Sequence, residues 1–457
     1  MEVEGLIKRA LAAGKADYIE IRIEQGRSTG VAYVGKELED IGRRTGLGGN
    51  VRALVKGGWG FVCFNDIAEL PRYVKQACRQ AEMIGGGPER LAPVTPHVAR
   101  VIAKPLEDPE AVSLAEKHDI CRRYNQILLS ASSKIATTNV IYRDSQSTIT
   151  FANSEGAHIE QKTSFCGAYL AAVAREGTDV QYGRHSVGDR RGFQIVRNLE
   201  SNCEESVKRA VDLLAARPIK GGPYDIIMDQ KLCGVFAHEA FGHLSEADFI
   251  YENPQLRDMM QIGRRFGADG INIADDPTLP GEAGSYAFDS EGVPGRRLHL
   301  LKDGVLAGRL HSRETAAKMN EEPTGNARAL SYGFAPIVRM SNTIVLPGNA
   351  TFEQMLAATK NGIYALGFLG GQTNMEMFTF TPEEAYVIEN GNLGRKVRDL
   401  TLTGNVFETL KNIDMIGNDL IISGGLGGCG KGGQSPLPVS DGGPHIRVRN
   451  LVVGSRG

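Results

Sequence analysis

The sequence predicts an α+β fold, in which an N-terminal region of mixed helices and antiparallel strands precedes a strand-rich, barrel-like C-terminal domain carrying a metal-site helix. Three observations support this prediction. Helical periods and alternating strand patterns follow one another in mixed order up to about residue 217. Two Gly- and Pro-containing segments, 84–97 and 218–223, divide the chain. Many short strand patterns separated by Gly, Pro and Asn-Gly turns fill the last half.

The first predicted unit, residues 1–90, is a helix, a strand meander and a second helix. Alternation of Ile with charged residues predicts the first strand, and Lys56-Gly57-Gly58 predicts a hairpin turn. The predicted elements are a helix over 3–11 ended by Gly14, strands over 19–23, 31–34, 51–55 and 59–64, and a helix over 67–81 capped by Asn65 or Asp66.

The second predicted unit, residues 98–217, again mixes helices with antiparallel strands and is compatible with sharing one sheet with the first. It contains a helix over about 111–129, extended segments at 139–142, 148–152 and 158–174, and a helix over 204–216.

The third predicted unit, residues 222–457, begins with a strand over 224–228 and a helix bearing Leu232, Val235 and Phe236. The short strands that follow predict the barrel-like body. The elements singled out are strands over 343–346, 385–389 and 446–452 and helices over 352–359 and 406–414.

The composition excludes several classes of protein. The 457 residues carry a formal net charge of -2, with 41% hydrophobic and 23% charged residues, as in an ordinary globular protein. This charge balance predicts no nucleic-acid partner. The sequence lacks the run of about 20 apolar residues that would predict a membrane span. Acids at the N-terminus argue against a signal peptide, and seven dispersed cysteines without a C-x-x-C pair indicate reduced thiols in the cytoplasm.

The segment Ala237–His243 is the candidate reactive site, because His238, Glu239 and His243 form an H-E-x-x-x-H pattern. Two neutral imidazoles can hold zinc while a glutamate handles the proton of an attacking water. Histidines five positions apart lie about 140° apart on an ideal α-helix and could not share an ion. We therefore expect either a backbone loosened at Gly242 or a π-type turn.

A catalytic zinc usually has three protein ligands, so one more is required. Glu246, Asp248 and Glu252 follow the histidines and are either ligands or a solvated helix face. Cys429 is the other candidate, since a thiolate binds zinc well and Lys431 together with the metal would favour its ionisation. The alternative is a small apolar cysteine packed in a turn, against which the flanking glycines argue.

The glycine-rich segment 424–433 around Cys429 also has the G-x-x-x-x-G-K spacing of a phosphate-binding loop. Gly432 replaces the required Ser or Thr, and prolines rather than a helix follow. We therefore expect no nucleotide site there.

Taken together, these motifs resemble the TldD-type branch of the TldD/PmbA metalloprotease family, once labelled modulators of DNA gyrase. The resemblance covers nearly the whole chain, although Ser341 replaces a family Thr and segment 373–380 departs from the usual family sequence. It implies zinc held by His238, His243 and Cys429, with Glu239 as the catalytic glutamate. The segments that carry it are 238–243, 289–292, 336–348, 370–372 and the glycine loop around Cys429.

The resemblance implies a zinc peptidase for small or unfolded peptides, working in a cavity enclosed by a homodimer or by a heterodimer with a PmbA-like paralogue. An extended peptide could add to an open sheet edge through its backbone. The alternatives are a catalytically silent subunit that presents substrate to a partner and a nucleic-acid modulator. The sequence leaves open whether Asp289 and Glu291 orient the ligands or shape a turn, and whether His299 and His311 are oxyanion donors or structural residues.

Overall fold

A seven-stranded sheet with four helices forms the N-terminal part of the protein in the computed structural model, which describes residues 2–87 and 89–455. Its elements are β1 (Tyr18–Val34), β2 (Glu37–Val55), β3 (Gly58–Phe64), β4 (Val98–Ile102), β5 (Ile135–Asn153), β6 (His158–Glu176), β7 (Asp179–Asp189), α1 (Glu2–Ala12), α2 (Leu70–Ile84), α3 (Leu114–Ser130) and α4 (Glu200–Ala215). The strand order is β3-β2-β1-β5-β6-β4, and β7 also pairs with β6. Both predicted N-terminal units therefore contribute strands to one sheet.

Several of these strands are longer than the sequence predicts. The two strands expected over 19–23 and 31–34 are one strand, because segment 25–30 pairs with 42–47 on one side and with 143–148 on the other. Neighbours on both sides satisfy its backbone hydrogen bonds despite the weak local propensity of its Gly and polar residues. Strand β2 extends through 37–50, which the sequence does not predict as strand, because this segment pairs with β1. The sequence also does not predict β7, which pairs with β6 along its whole length.

The sequence predicts the hairpin turn and the linker of the N-terminal part correctly. Lys56 and Gly57 both have positive φ and form the expected hairpin turn between β2 and β3. The described residues of the segment between α2 and β4 contain no helix or strand, as expected for a linker, and Pro88 within it lies outside the described residues.

In its described residues, the C-terminal part contains two larger sheets and six α-helices. Its helices are α5 (Gln230–Phe236), α6 (Ala247–Glu252), α7 (Pro254–Met259), α8 (Arg313–Met319), α9 (Phe352–Ala357) and α10 (Val406–Lys411). Its strands are β8 (Arg217–Pro218), β9 (Gly222–Met228), β10 (Ile273–Asp275), β11 (Leu298–Lys302), β12 (Val305–Leu306), β13 (Ala327–Arg328), β14 (Ile337–Val338), β15 (Asn342–Val345), β16 (Asn361–Leu366), β17 (Gly370–Asn374), β18 (Met377–Thr381), β19 (Glu384–Glu389), β20 (Asn392–Arg398), β21 (Leu400–Asn405), β22 (Ile413–Ile416), β23 (Ile421–Gly424), β24 (Cys429–Lys431), β25 (Gln434–Leu437), β26 (Ser440–Gly443) and β27 (Ile446–Ser455).

The prediction of an α+β fold is confirmed, but its barrel-like description is loose, because the described sheets are open. The ten-stranded sheet runs β17-β18-β21-β27-β9-β16-β19-β20-β8, with β22 on β27, and the six-stranded sheet runs β12-β11-β10-β15-β26-β23. Helix α5 packs against strands of both sheets, and its buried Leu232 and Phe236 belong to the core that they share. A helix between two sheets buries their inner faces without closing either one.

No helix in the described part of the chain is both long and apolar enough to cross a bilayer.

Candidate metal centre

The two motif histidines lie where α5 changes its helical period. Asp229 caps α5 by accepting a hydrogen bond from the amide of Leu232 at 2.8 Å. After Phe236 the chain continues as a π-helix over Ala237–Gly242 and then as a single 3₁₀ turn. A π-turn closes at i+5, so it brings residues five apart onto one face. The expected π-type turn is therefore confirmed.

The alternative reason, backbone freedom at Gly242, is wrong. Gly242 has φ -59° and ψ -51°, which are ordinary right-handed helical values. A methyl group on this residue would instead overlap the sulfur of Met340, which is fully buried. Glycine is required here for close packing.

His238, His243 and Cys429 are brought together, although 186 residues separate the last two. Their ligand atoms all lie within 4.8 Å of one another, and Cys429 Sγ is 3.3 Å from His243 Nε2. In a tetrahedral zinc site, Zn–S and Zn–N bonds place sulfur about 3.5 Å from nitrogen. Two imidazole nitrogens and one sulfur also match the ligand chemistry of zinc, so the residues present fit this metal.

The loop of Cys429 is fixed by a buried arginine. Strand β24 pairs with β25 as a tight hairpin, in which Gly432 and Gly433 have positive φ. The Arg339 guanidinium is fully buried and donates to the carbonyls of Cys429 at 2.7 Å and Gln434 at 3.2 Å. Arg339 therefore sets the position of the backbone that presents the sulfur.

Cys429 is chemically distinct in this environment. Burial by itself raises the pKa of its thiol, but His238 and His243 beside the sulfur lower that pKa to about 5. Lys431, which the sequence suggested together with the metal as the source of positive charge, has its Nζ engaged by Glu246, Asp248 and the carbonyl of Val338. The imidazoles supply the positive charge.

Each histidine has a carboxylate beside its Nδ1. Nδ1 of His243 hydrogen-bonds Glu246 at 2.9 Å, and Nδ1 of His238 lies 2.8 Å from Asp441, at ion-pair distance but poorly aligned for a hydrogen bond. Burial lowers the pKa of His243, but the Glu246 charge and the Cys429 sulfur outweigh it and raise the pKa to about 9. Burial likewise lowers the pKa of His238, and the charges of Asp441 and Cys429 raise it well above its ordinary value. A bound cation would displace these protons.

The carboxylates considered as third ligands have other roles. Glu246 is fully buried and contacts His243 and Lys431, so it orients a histidine through Nδ1. Asp248 pairs with Lys431, and Glu252 is exposed at the edge of a neighbouring cavity. Asp441 was missed by the sequence analysis, because Asp441-Gly442-Gly443 has the local pattern of a turn.

The remaining polar candidates lie elsewhere. Asp289 accepts hydrogen bonds from three backbone amides and shapes the turn before Gly292, and Glu291 contacts Arg313 and Arg52. Both ring nitrogens of His311 bond to Thr315 and Glu321, and His299 lies on β11. None of them is hydrogen-bonded to His238 or His243 within the described residues.

Glu239 stands between two cavities. A cavity of about 990 Å³ is lined by His238, Cys429 and Asp441, and another of about 630 Å³ is lined by His243. Glu239 is the one residue among those described that lines both. Its half-buried carboxylate is therefore accessible to a molecule that approaches the three convergent side chains from either side.

Sequence comparison finds three matching domains along the chain. They are described as PmbA/TldA metallopeptidase domain 1 over residues 19–81, central domain over 107–217 and C-terminal domain over 221–455. A metalloprotease of Synechocystis sp. is 46% identical over 96% of this chain and 95% of its own length. A protein of Saccharolobus solfataricus named a zinc metalloprotease TldD homolog is 29% identical over 98% of both chains.

Solved structures share the fold. TldE from Thermococcus kodakarensis superposes with a TM-score of 0.78, at 18% identity and full coverage of both chains. A Thermotoga maritima protein described as a modulator of a DNA gyrase gives 0.77, at 20% identity, covering 99% of this chain and all of that one. At such identities the likeness concerns the fold alone.

Proposed function

The chain belongs to the PmbA/TldA metallopeptidase family, and from this premise we propose that it is a zinc-dependent peptidase with its reactive centre at His238, Glu239, His243 and Cys429. The observation that carries the proposal is the convergence of two imidazoles and a low-pKa thiol beside Glu239. Zinc held by the three side chains would polarise the scissile carbonyl and acidify the attacking water.

Glu239 is proposed as the proton carrier of the reaction. A carboxylate oxygen of Glu239 takes a proton from the attacking water and later delivers it to the nitrogen of the leaving amine. Its place between both cavities suits this role, because a peptide crossing from one to the other passes this carboxylate.

The neighbouring acids position the ligands. Glu246 and Asp441 lie at the Nδ1 atoms of the two histidines and leave each Nε2 directed towards the sulfur side of the site. Carboxylates in this position fix the ring orientation and make the imidazole a stronger ligand.

The proposal is tested with Glu239→Gln. Because the amide cannot accept the proton, we expect peptide cleavage to fall by roughly 10²–10⁴-fold while stoichiometric zinc is retained. Cys429→Ala should lose zinc as well as activity, with zinc measured by elemental analysis. Folded wild-type protein that binds no zinc and cleaves no peptide would instead support the silent-subunit alternative.

The substrate, assembly and location are part of the same proposal. We propose that the enzyme cleaves small or unfolded peptides in a cavity enclosed by two subunits, either identical or one of them PmbA-like, in the cytoplasm. Val98 and Ile102 on the edge strand β4 are 80% and 50% exposed, and apolar side chains on a strand edge favour coverage by another chain. Light scattering on the purified chain, alone and mixed with a PmbA-like paralogue, measures the assembly.

A further inference from the structure

The smaller cavity has features that the reaction itself does not require. It begins at Glu239 and His243 and extends between helices α6–α7 on one side and the β17–β18 hairpin on the other. Its volume of about 630 Å³ is within the range of small-ligand pockets.

Large apolar side chains form its walls. Phe249 of α6 and Met375 of the hairpin are each 41% exposed and line the cavity from its two sides. Leu244 and Leu256 line it as well and are almost fully buried, at 6% and 7% exposure. Exposed apolar side chains that face one another across a cleft are typical of a binding pocket.

Apart from Glu239 and His243 at its inner end, the charged groups that line this cavity are paired or exposed. Lys431 Nζ is bonded to both oxygens of Asp248 and to Glu246, and it lies 4.0 Å from the centre of the Phe249 ring. Glu252 is exposed to solvent, where it would add little to the binding of a cation. Beyond Glu239, an entering charged side chain would therefore lose hydration without gaining an unpaired buried partner, whereas an apolar side chain would be favoured.

We propose that this cavity is a specificity subsite that binds the large apolar side chain of a peptide residue on one fixed side of the scissile bond. The peptide continues past Glu239 into the larger cavity, so the enzyme cuts internal bonds. This inference rests on the proposed peptidase function, because it assigns the cavity to that enzyme's substrate.

Peptide binding tests the subsite without cleavage. Fluorescein-labelled Ala/Ser peptides that carry a single Leu, Phe, Lys or Asp are titrated into the Glu239→Gln protein, with and without zinc, and followed by fluorescence anisotropy. We expect Leu and Phe peptides to bind at least about tenfold more tightly than Lys or Asp peptides. Equal binding of the four, or preference for Lys or Asp, overturns the proposal.

Variants at Met375 and at the matched control position Met377 test whether the side-chain preference arises in this cavity. Met375→Asp should abolish the preference for Leu and Phe, and Met375→Asn should weaken it. Met377→Asp should leave it unchanged, because Met377 is 48% exposed on the same hairpin but does not line the cavity. Met375 already has a positive φ of 52°, which Asp and Asn tolerate well, so these changes preserve the turn. Equal effects of the Met375 and Met377 variants exclude the cavity as the cause.

Cleavage of the same peptides by wild-type protein, mapped by mass spectrometry, separates the two proposals. Cuts between internal residues, with Leu or Phe always on the same side, support both. Selective binding without cleavage retains the subsite and rejects the peptidase. Cleavage without side-chain preference retains the peptidase and rejects the subsite, and the absence of both binding and cleavage rejects both.

Discussion

Cys429 differs from the other six cysteines because two imidazoles stand beside its sulfur. Burial raises the pKa of each of the six, to about 12 for Cys121, Cys166 and Cys203. Five of these thiols, all except the exposed Cys63, are buried and act as small apolar side chains. Cys429 is also well buried, yet its pKa falls to about 5. At the residue scale, the identity of the neighbours outweighs burial.

Arg339 is predicted to control metal affinity although it is not a ligand. Arg339→Lys removes the planar pair of donors that reaches the carbonyls of Cys429 and Gln434, so the sulfur should be held less firmly. We expect zinc affinity to fall by roughly 10–100-fold. In cobalt-substituted protein, the sulfur-to-metal charge-transfer band should weaken.

Arg309→Lys is the control for this change. Arg309 is similarly buried and donates to the carbonyl of Met260, but it contacts neither Cys429 nor Gln434. If both lysine variants lose zinc equally, a general loss of stability explains the result and the positioning role is rejected.

The packing of the helix that bears the motif determines its number of residues per turn. Helix α5 and its π-helical continuation lie in the core between the two C-terminal sheets, with Phe236 and Phe241 buried there. This packing supports the wide turn, which an isolated helix would rarely adopt. At the scale of the element, the tertiary environment selects the geometry that joins the histidines.

Gly242→Ala tests this packing. The added methyl group overlaps Met340 Sδ, so we expect the free energy of unfolding to fall by about 1–3 kcal/mol. Because His243 follows directly, zinc affinity should fall too. Denaturant titration and elemental analysis measure the two effects.

A double-mutant cycle with Met340→Ala identifies the contact. Met340→Ala alone should be destabilising because it leaves a cavity in the core. Combined with Gly242→Ala, its cost should be less than additive, since the new methyl group then has space. Strict additivity would show that Met340 is not what requires glycine at this position.

Glu384 on β19 joins this strand to α4 and gives stability a predictable pH dependence. It accepts a hydrogen bond from Arg209 at 2.6 Å and pairs with Lys396 at 2.7 Å. Burial raises the pKa of Glu384, but the hydrogen bond from Lys396 and the charge of Arg209 outweigh it, so the pKa lies below its ordinary value. The resulting stabilisation is complete above the unfolded pKa of about 4.3 and is lost as pH falls through the lower folded pKa.

Glu384→Gln should therefore be destabilising at pH 7, and the difference from wild type should shrink below about pH 4.3. Urea titrations between pH 3 and 7 measure it. Glu408→Gln, which affects an exposed pair with Lys411, is the control and should have little effect at any pH. A difference that grows towards low pH would contradict the assignment.

At the scale of the whole molecule, the N-terminal sheet and the C-terminal part are joined by ion pairs of buried arginines. Arg313, fully buried at the start of α8, binds both carboxylate oxygens of Glu155 at 2.8 Å and the carbonyl of Ala92 at 2.9 Å. Arg52 of β2 lies between Glu20 and Glu291. These contacts fix one part of the chain against the other.

Arg313→Met should destabilise the molecule without affecting the metal ligands. Because Glu155 is 38% exposed and can regain water, we expect the cost to lie below the roughly 3–5 kcal/mol of a fully buried broken pair. Denaturant titration measures the loss, and zinc content should stay stoichiometric. Unchanged stability would show that this pair does not join the two parts.

The sequence by itself determined the features that depend on neighbours along the chain. The turn at Lys56-Gly57, the linker after α2, the class of fold and the i+5 spacing that excludes a regular α-helix all follow from local chemistry. It also named His238, Glu239, His243 and Cys429 as a group, through their zinc-ligand chemistry and the family resemblance.

Only the tertiary structure decided the features that depend on contacts between residues far apart in the sequence. The full length of β1, the open sheets in place of a barrel, Asp441 at His238 and Arg339 at the Cys429 loop have no local signal. Each arises because a distant segment supplies the hydrogen bonds, charge or packing surface that fixes it. Local propensity is weak beside such contacts, and they form only when the whole chain has folded.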